Sequence, residues 1–159
     1  MGMNLVATNK LAEVLKPATD ASGRTGSYIS CKTCEKITLV FHVLQGKAAT
    51  ILLTVLQATA AAGTGSKAIT NAVPIWRNLD TAATDTLVKD TDAKTYTTDA
   101  GVKNKMVVFE INPGLCMDTA NGFDYVTIST GSSNAANLTQ CIAYAEMDYA
   151  QGTPPTIIT

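Results

Sequence analysis

Apolar and polar residues alternate along this chain in short runs, rich in β-branched and aromatic side chains and separated by turn formers. From Gly26 onward, residues 27–31, 37–45, 50–57, 72–76, 94–98, 105–112, 123–130 and 139–149 each read as a strand bounded by Gly, Asn, Asp or Pro. Within 123–129, Phe123, Tyr125 and Thr127 fall on one face while Val126 and Ile128 fall on the other, and several other runs are likewise apolar on both faces. Such strands must be covered twice, by a second sheet and by a neighbour or an arm. About eight short strands with turns between them predict a mainly β, single-domain β-sandwich or jelly-roll-like barrel.

The two ends carry a different signal. Residues 1–25 read as an N-terminal arm in which Leu5, Leu11, Val14 and Leu15 line one side of a short helix, stopped by Pro17 and by Asp20-Ala21-Ser22-Gly23. Residues 26–150 form the body, with longer loops at 60–67, 79–92 and 113–122, the last with room for one helical turn. Residues 151–159 read as a C-terminal arm, because Pro154 and Pro155 cannot donate to a ladder. Leu5 and Leu11 in the first arm, with Ile157 and Ile158 in the second, are the expected anchors on a neighbouring surface.

Composition narrows the partners. At 159 residues the chain is long enough for one domain that hides roughly two-thirds of its unfolded surface. Charged residues make up 16% against a usual ~25%, so threonine and alanine finish much of the surface. Hydroxyls and methyls desolvate without stranding ions, which suits flat contact with other proteins. The net charge of −1, with scattered Lys and Arg, provides no basic field for nucleic acid. The longest apolar stretches, 37–44 and 51–56, fall far short of the ~20 residues that cross a bilayer, so no membrane is expected. The start, Met1-Gly2-Met3-Asn4, lacks the blocks of a signal peptide, and synthesis in a cytoplasm is expected.

Candidate chemistry is sparse. His42 sits mid-strand between Phe41 and Val43 and reads as an inward or interface-facing residue rather than a base. Gly63-Thr64-Gly65-Ser66-Lys67-Ala68 fits a dinucleotide fingerprint in letters, but strand-like text and Pro74 follow where that motif needs a helix. Asp90-Thr91-Asp92 opens like a calcium loop, yet Lys94 and Thr95 occupy the next ligand position and the required glycine. Asn137-Leu138-Thr139 is a sequon without a secretory context. No cofactor is expected.

The cysteines carry more information. Cys31 and Cys34 resemble half a zinc site, but Cys116 and Cys141 show no knuckle spacing. If 31–34 is extended, the two Cα atoms lie roughly 10 Å apart, beyond disulfide reach, and the side chains oppose each other. Pairing with Cys116 or Cys141, pairing between chains, and burial as free thiols all stay open. Disulfides would form only after release into an oxidising medium, as for a virus particle at lysis.

Several stretches carry a family likeness: Leu56-Gln57-Ala58-Thr59, the glycine run through Ile69, Val73-Pro74-Ile75-Trp76, Asn78-Leu79-Asp80-Thr81-Ala82-Ala83 and Lys103-Asn104-Lys105-Met106-Val107-Val108-Phe109-Glu110. With Gly122-Phe123-Asp124, the run 129–137 and Pro154-Pro155, they resemble a family of small virion proteins of tailed phages and prophages, over most of the chain from Pro17 on. That resemblance implies a non-enzymatic capsid decoration or cement protein, a homotrimer bound to the major capsid protein on the capsid surface. A tail tube, tail-completion or head-tail joining protein would use the same body, and a cysteine-metal or redox enzyme is the reading from a different class.

Overall fold

The alternation becomes strands throughout residues 5–148 and 156–158, which the computed structural model describes. In chain order they are a helical turn α1 (Leu5–Thr8), β1 (Asn9–Thr19), β2 (Arg24–Thr25), β3 (Ile29–Ser30), β4 (Cys34–Gln45), β5 (Leu52–Ala58) and β6 (Lys67–Ala68). There follow β7 (Ile75–Asn78), β8 (Val88–Lys89), β9 (Thr95–Thr97), β10 (Asn104–Ile111), α2 (Pro113–Cys116), a 3-10 turn (Thr119–Asn121), β11 (Tyr125–Thr130) and β12 (Asn137–Met147). The strands form a six-stranded sheet in the order β1-β12-β4-β10-β7-β8 and a smaller sheet β2-β11-β5-β6, with β3 also on β11 and β9 on β5. Together they make a mainly β sandwich.

The inner faces interlock because period-two alternation sends every second side chain inward. Ile37, Leu39, Phe41 and Val43 of β4, Val107, Phe109 and Ile111 of β10, and Cys141, Ala143 and Ala145 of β12 meet Leu53 and Val55 of β5 and Val126 and Ile128 of β11. Ala143 and Ala145 stand beside Leu39 and Ile37, so small side chains alternate with large ones across the layer. Phe41 and Phe109 pack edge to face with ring centroids 5.7 Å apart, a geometry that adds about 1 kcal/mol beyond burial.

Both ends depart from the expected arms. Residues 9–19 form an edge strand on β12, with register shifts between Glu13 and Leu15 and between Leu15 and Ala18. Pro17 is tolerated there because it falls in the irregular stretch between Leu15 and Ala18, outside the paired register, and Ala12, Val14 and Leu15 bury in the core. At the other terminus Ser30 N–H donates to Ile157 O at 2.7 Å, and Ile158 bridges Ile29. Ile157 is 2% exposed, so it packs into its own core. Residues 151–155 and 159 of the expected C-terminal arm lie outside the described residues. The accessible surface of 7793 Å² matches the roughly 7,600 Å² expected for a folded monomer of this mass.

The two ends of the sandwich differ in chemistry. At one, Asp20 is fully buried, and its Oδ1 accepts from Arg24 Nε and Nη2 and from the Thr130 and Thr139 hydroxyls, joining the β1–β2 turn to both sheets. Beside it Lys105, 2% exposed, donates Nζ to Gln45 Oε1 at 2.7 Å and to the Asp99 and Gly101 carbonyls, and pairs with Asp99 Oδ1 at 2.9 Å. A buried ammonium persists only where such acceptors replace its water.

The opposite end is rich in sulfur. Cys34 N–H donates to Cys31 O at 3.2 Å and closes a turn between β3 and β4, so 31–34 is folded rather than extended and the separation that extension would impose does not apply. A tight turn brings its ends within about 7 Å, inside disulfide reach, yet all four cysteines are free and buried. Cys34 Sγ lies 3.8 Å from Met147 Sδ, and Cys116 Sγ donates to Asn112 O at 2.9 Å. Burial pushes the Cys34 and Cys116 thiols up to about 11 and raises Cys31 and Cys141 as well. At Cys31 the neighbouring Cys34 and Cys116 add to that rise.

Two outcomes follow from these ends. Lys105→Met should lower unfolding free energy by about 2–3 kcal/mol, because the carbonyls and Gln45 lose their donor; urea titration would show a lower midpoint with unchanged slope. Thiol-specific reagent at mildly alkaline pH should leave all four cysteines unmodified in the folded protein and label them after denaturation. Rapid labelling of the native chain would contradict this account of their burial.

Candidate protein-binding face

The smaller sheet covers only the inner side of the large one. On the outer side, register fixes which residues lie in rows across the strands. One row runs Glu13 (β1), Ile142 (β12), Val40 (β4), Val108 (β10), Trp76 (β7) and Lys89 (β8). The row above runs Leu11, Tyr144, Thr38 and Glu110, and the row below runs Gln140, His42, Met106 and Asn78. Leu138, Leu44 and Asn104 form the last. Val40, Ile142, Tyr144, Met106 and Trp76 are half-buried by one another, whereas Leu11 and Leu44 are 43% and 50% exposed.

The polar groups on this face largely satisfy each other. Glu110 accepts from Lys36 Nζ at 2.8 Å and from Trp76 Nε1 at 3.2 Å. The Lys36 hydrogen bond holds the Glu110 carboxyl below the usual carboxylate range. A carboxylate already neutralised by a neighbour is cheaper to cover with a partner than a solvated one. Shallow grooves flank the apolar rows: one of about 310 Å³ beside Lys36, Pro74, Glu110 and Leu115, another of about 190 Å³ beside Pro17, His42, Leu44 and Leu138. The loop at 79–87 closes one corner, where Asn78 Nδ2 donates to Thr84 O and Thr81 N–H to Asn104 O.

The residues singled out from sequence scatter over the molecule. Of the four expected anchors, Leu11 lies on this face beside Tyr144, Ile157 is in the core, Leu5 is 37% exposed in α1, and Ile158, 44% exposed, lies against Ile29. His42 stands exposed on the face between Gln140 and Met106. Cys31, Cys34 and Cys116 gather at the sulfur-rich end while Cys141 faces the core from mid-β12. The glycine run is a turn with Gly63 and Gly65 at φ +79° and +65°, tied by Ser66 N–H to Gly63 O, and it leads into β6 rather than a helix. At Gly63 an added Cβ would meet the Tyr28 ring at 2.8 Å. Asp90 bonds Arg77 Nε at 2.7 Å and Asp92 pairs with Lys89 at 3.3 Å. Among the described residues no group of His, Cys, Asp and Glu is placed to hold a metal ion, and no helix is long and apolar enough to cross a membrane.

Val40, Val108, Ile142, Tyr144 and Trp76 were not singled out from sequence, although the two-sided apolar runs 37–45 and 105–112 carried the signal. Which residues share a row depends on register, and register is a tertiary property.

Comparison with known proteins gives a fold and no family. No family model matches the chain, and no curated protein matches it either. Among solved structures it is similar to the SPBc2 prophage-derived protein YomS, with a TM-score of 0.50 and 8% identity over 87% of this chain and 93% of that one. The sandwich is therefore a fold shared with a prophage-derived protein along nearly the whole of both chains.

Proposed function

We propose that this chain is a structural protein of a phage particle, a capsid decoration or cement protein that works by covering its outer sheet face with protein neighbours. The observation that carries the reading is the two-sided large sheet, whose outer row holds Ile142, Val40 and Trp76 half-buried around a 7% exposed Val108, with no covering layer among the described residues. The shared fold with a prophage-derived protein and the low charge of the surface support it.

The mechanism is thermodynamic and has no chemical step. A shell under internal pressure fails where neighbouring subunits separate, and a protein that buries surface on both sides of a seam must be stripped off before the seam opens. Its stabilisation therefore grows with occupancy. A surface finished with threonine and alanine can be desolvated across such a seam at little cost.

Shells stripped of the protein and then re-coated should resist heat and osmotic shock better than bare shells. Coating with the Val40→Asp variant, which puts a charge in the middle of the face, should recover little of that resistance. Equal rupture of coated and bare shells would overturn the reading, as would imaging that places the protein in a six-fold ring of the tail or neck.

A further inference from the structure

The central row of the outer face is apolar in the middle and oppositely charged at its two ends, and this points to its occupant. Across the central row the order is acid, four apolar residues, base: Glu13, Ile142, Val40, Val108, Trp76, Lys89. A two-fold axis lying in the face, parallel to the strands and between β4 and β10, reverses the order of the strands and keeps the rows in register. It sets Val40 over the second copy's Val108, Ile142 over the second copy's Trp76, and Glu13 over the second copy's Lys89. In the next row it sets His42 over the second copy's Met106. Every contact then occurs twice, as an isologous interface requires.

We propose that a second copy of this chain covers the outer face of the large sheet, packed sheet on sheet about such an axis. The inference rests on that face being a protein-binding surface and names its partner. Two independent properties support a second copy. Charge is the first: the acid and the base stand at opposite ends of one row, so a like copy turned over supplies each with its opposite. Lys89 is free to exchange partners, since its pair with Asp92 is half exposed on both sides and such surface pairs are weak.

Area is the second. An outward position in a sheet occupies roughly 33 Å², from strands about 4.8 Å apart and side chains about 6.8 Å apart on one face, so the sixteen positions named on β1, β12, β4, β10 and β7, with Lys89 on β8, cover roughly 560 Å², near the lower bound for a stable pair. A stable pair needs about 600–1,000 Å² from each partner. Packed sheets sit about 10 Å apart, a gap that Trp76, Met106 and Tyr144 can fill from both sides. The two-fold arrangement takes the place of the three-fold cluster that the family resemblance implies.

Sedimentation equilibrium of the full chain at micromolar concentration tests it. The expected mass is twice 16.6 kDa. Val40→Glu, or Ile142→Lys if that variant unfolds, should give a monomer with an unchanged far-ultraviolet spectrum. Glu13→Lys and Lys89→Glu should each weaken the pair about tenfold, and the two together should restore it, because the reversed charges meet again. A monomeric or three-copy wild type, a dimer indifferent to Val40→Glu, or a charge swap without rescue would each overturn the inference. Shell binding keeps the two readings apart: a monomer that still coats and protects shells sinks only the two-fold pair, whereas a dimer that fails to protect shells sinks the proposed function and leaves the pair standing.

Discussion

Strand β4 has to satisfy two faces at once, and the rest of the molecule is arranged around that demand. Its inner residues Ile37, Leu39, Phe41 and Val43 are sealed by the smaller sheet, and its edges are bonded along their length by β12 and β10. Its outer residues include Val40 and Leu44, which have neighbours beside them and nothing above them among the described residues. Burying the inner set drives folding, since each large apolar side chain removed from water is worth roughly 2 kcal/mol. The outer set gains the same kind of energy only when another surface arrives.

The ends of the sandwich hold this arrangement in place by unlike means. At one, Asp20 and Lys105 draw turns and strand ends from both sheets onto a buried carboxylate and a buried ammonium. Hydrogen bonds of this kind are directional, so they set register as well as adding stability. At the other, Cys31, Cys34, Cys116 and Met147 fill space with soft, adaptable sulfur. The C-terminal residues 156–158 add a bridge to β3 near the second end. A sandwich fixed at both ends can present its middle as a stiff face, and a stiff face loses little entropy on binding.

The edges of the large sheet also bear on what the protein can join. β1 carries two register shifts and Pro17, which spoil it as a template for a further strand. The far edge is β8, only two residues long. Both edges of this sheet are therefore poor templates for strand addition.

Much of the β character was legible in the letters. The runs that became β4, β5, β10, β11 and β12 announced themselves through β-branched alternation between turn residues, as did the single helical turn at Pro113. β1 did not, because Leu11, Val14 and Leu15 are spaced like a helix face and Pro17 reads as a stop. The bulges that let a strand adopt that spacing arise only from its pairing with β12. β6 and β8 are two residues each, too short for any local signal, and exist because a neighbouring strand offers bonds. The break between the runs 27–31 and 37–45 was legible, but whether Cys31–Cys34 is extended or folded was not, since the same four letters serve either. The sequence by itself determined that strands with two apolar sides would form and need two coverings, because period-two alternation is a property of the chain alone. Which strands lie side by side, and so which residues form the acid-to-base row across the outer face, was decided by the tertiary structure, because register comes from inter-strand hydrogen bonds between segments far apart in the chain.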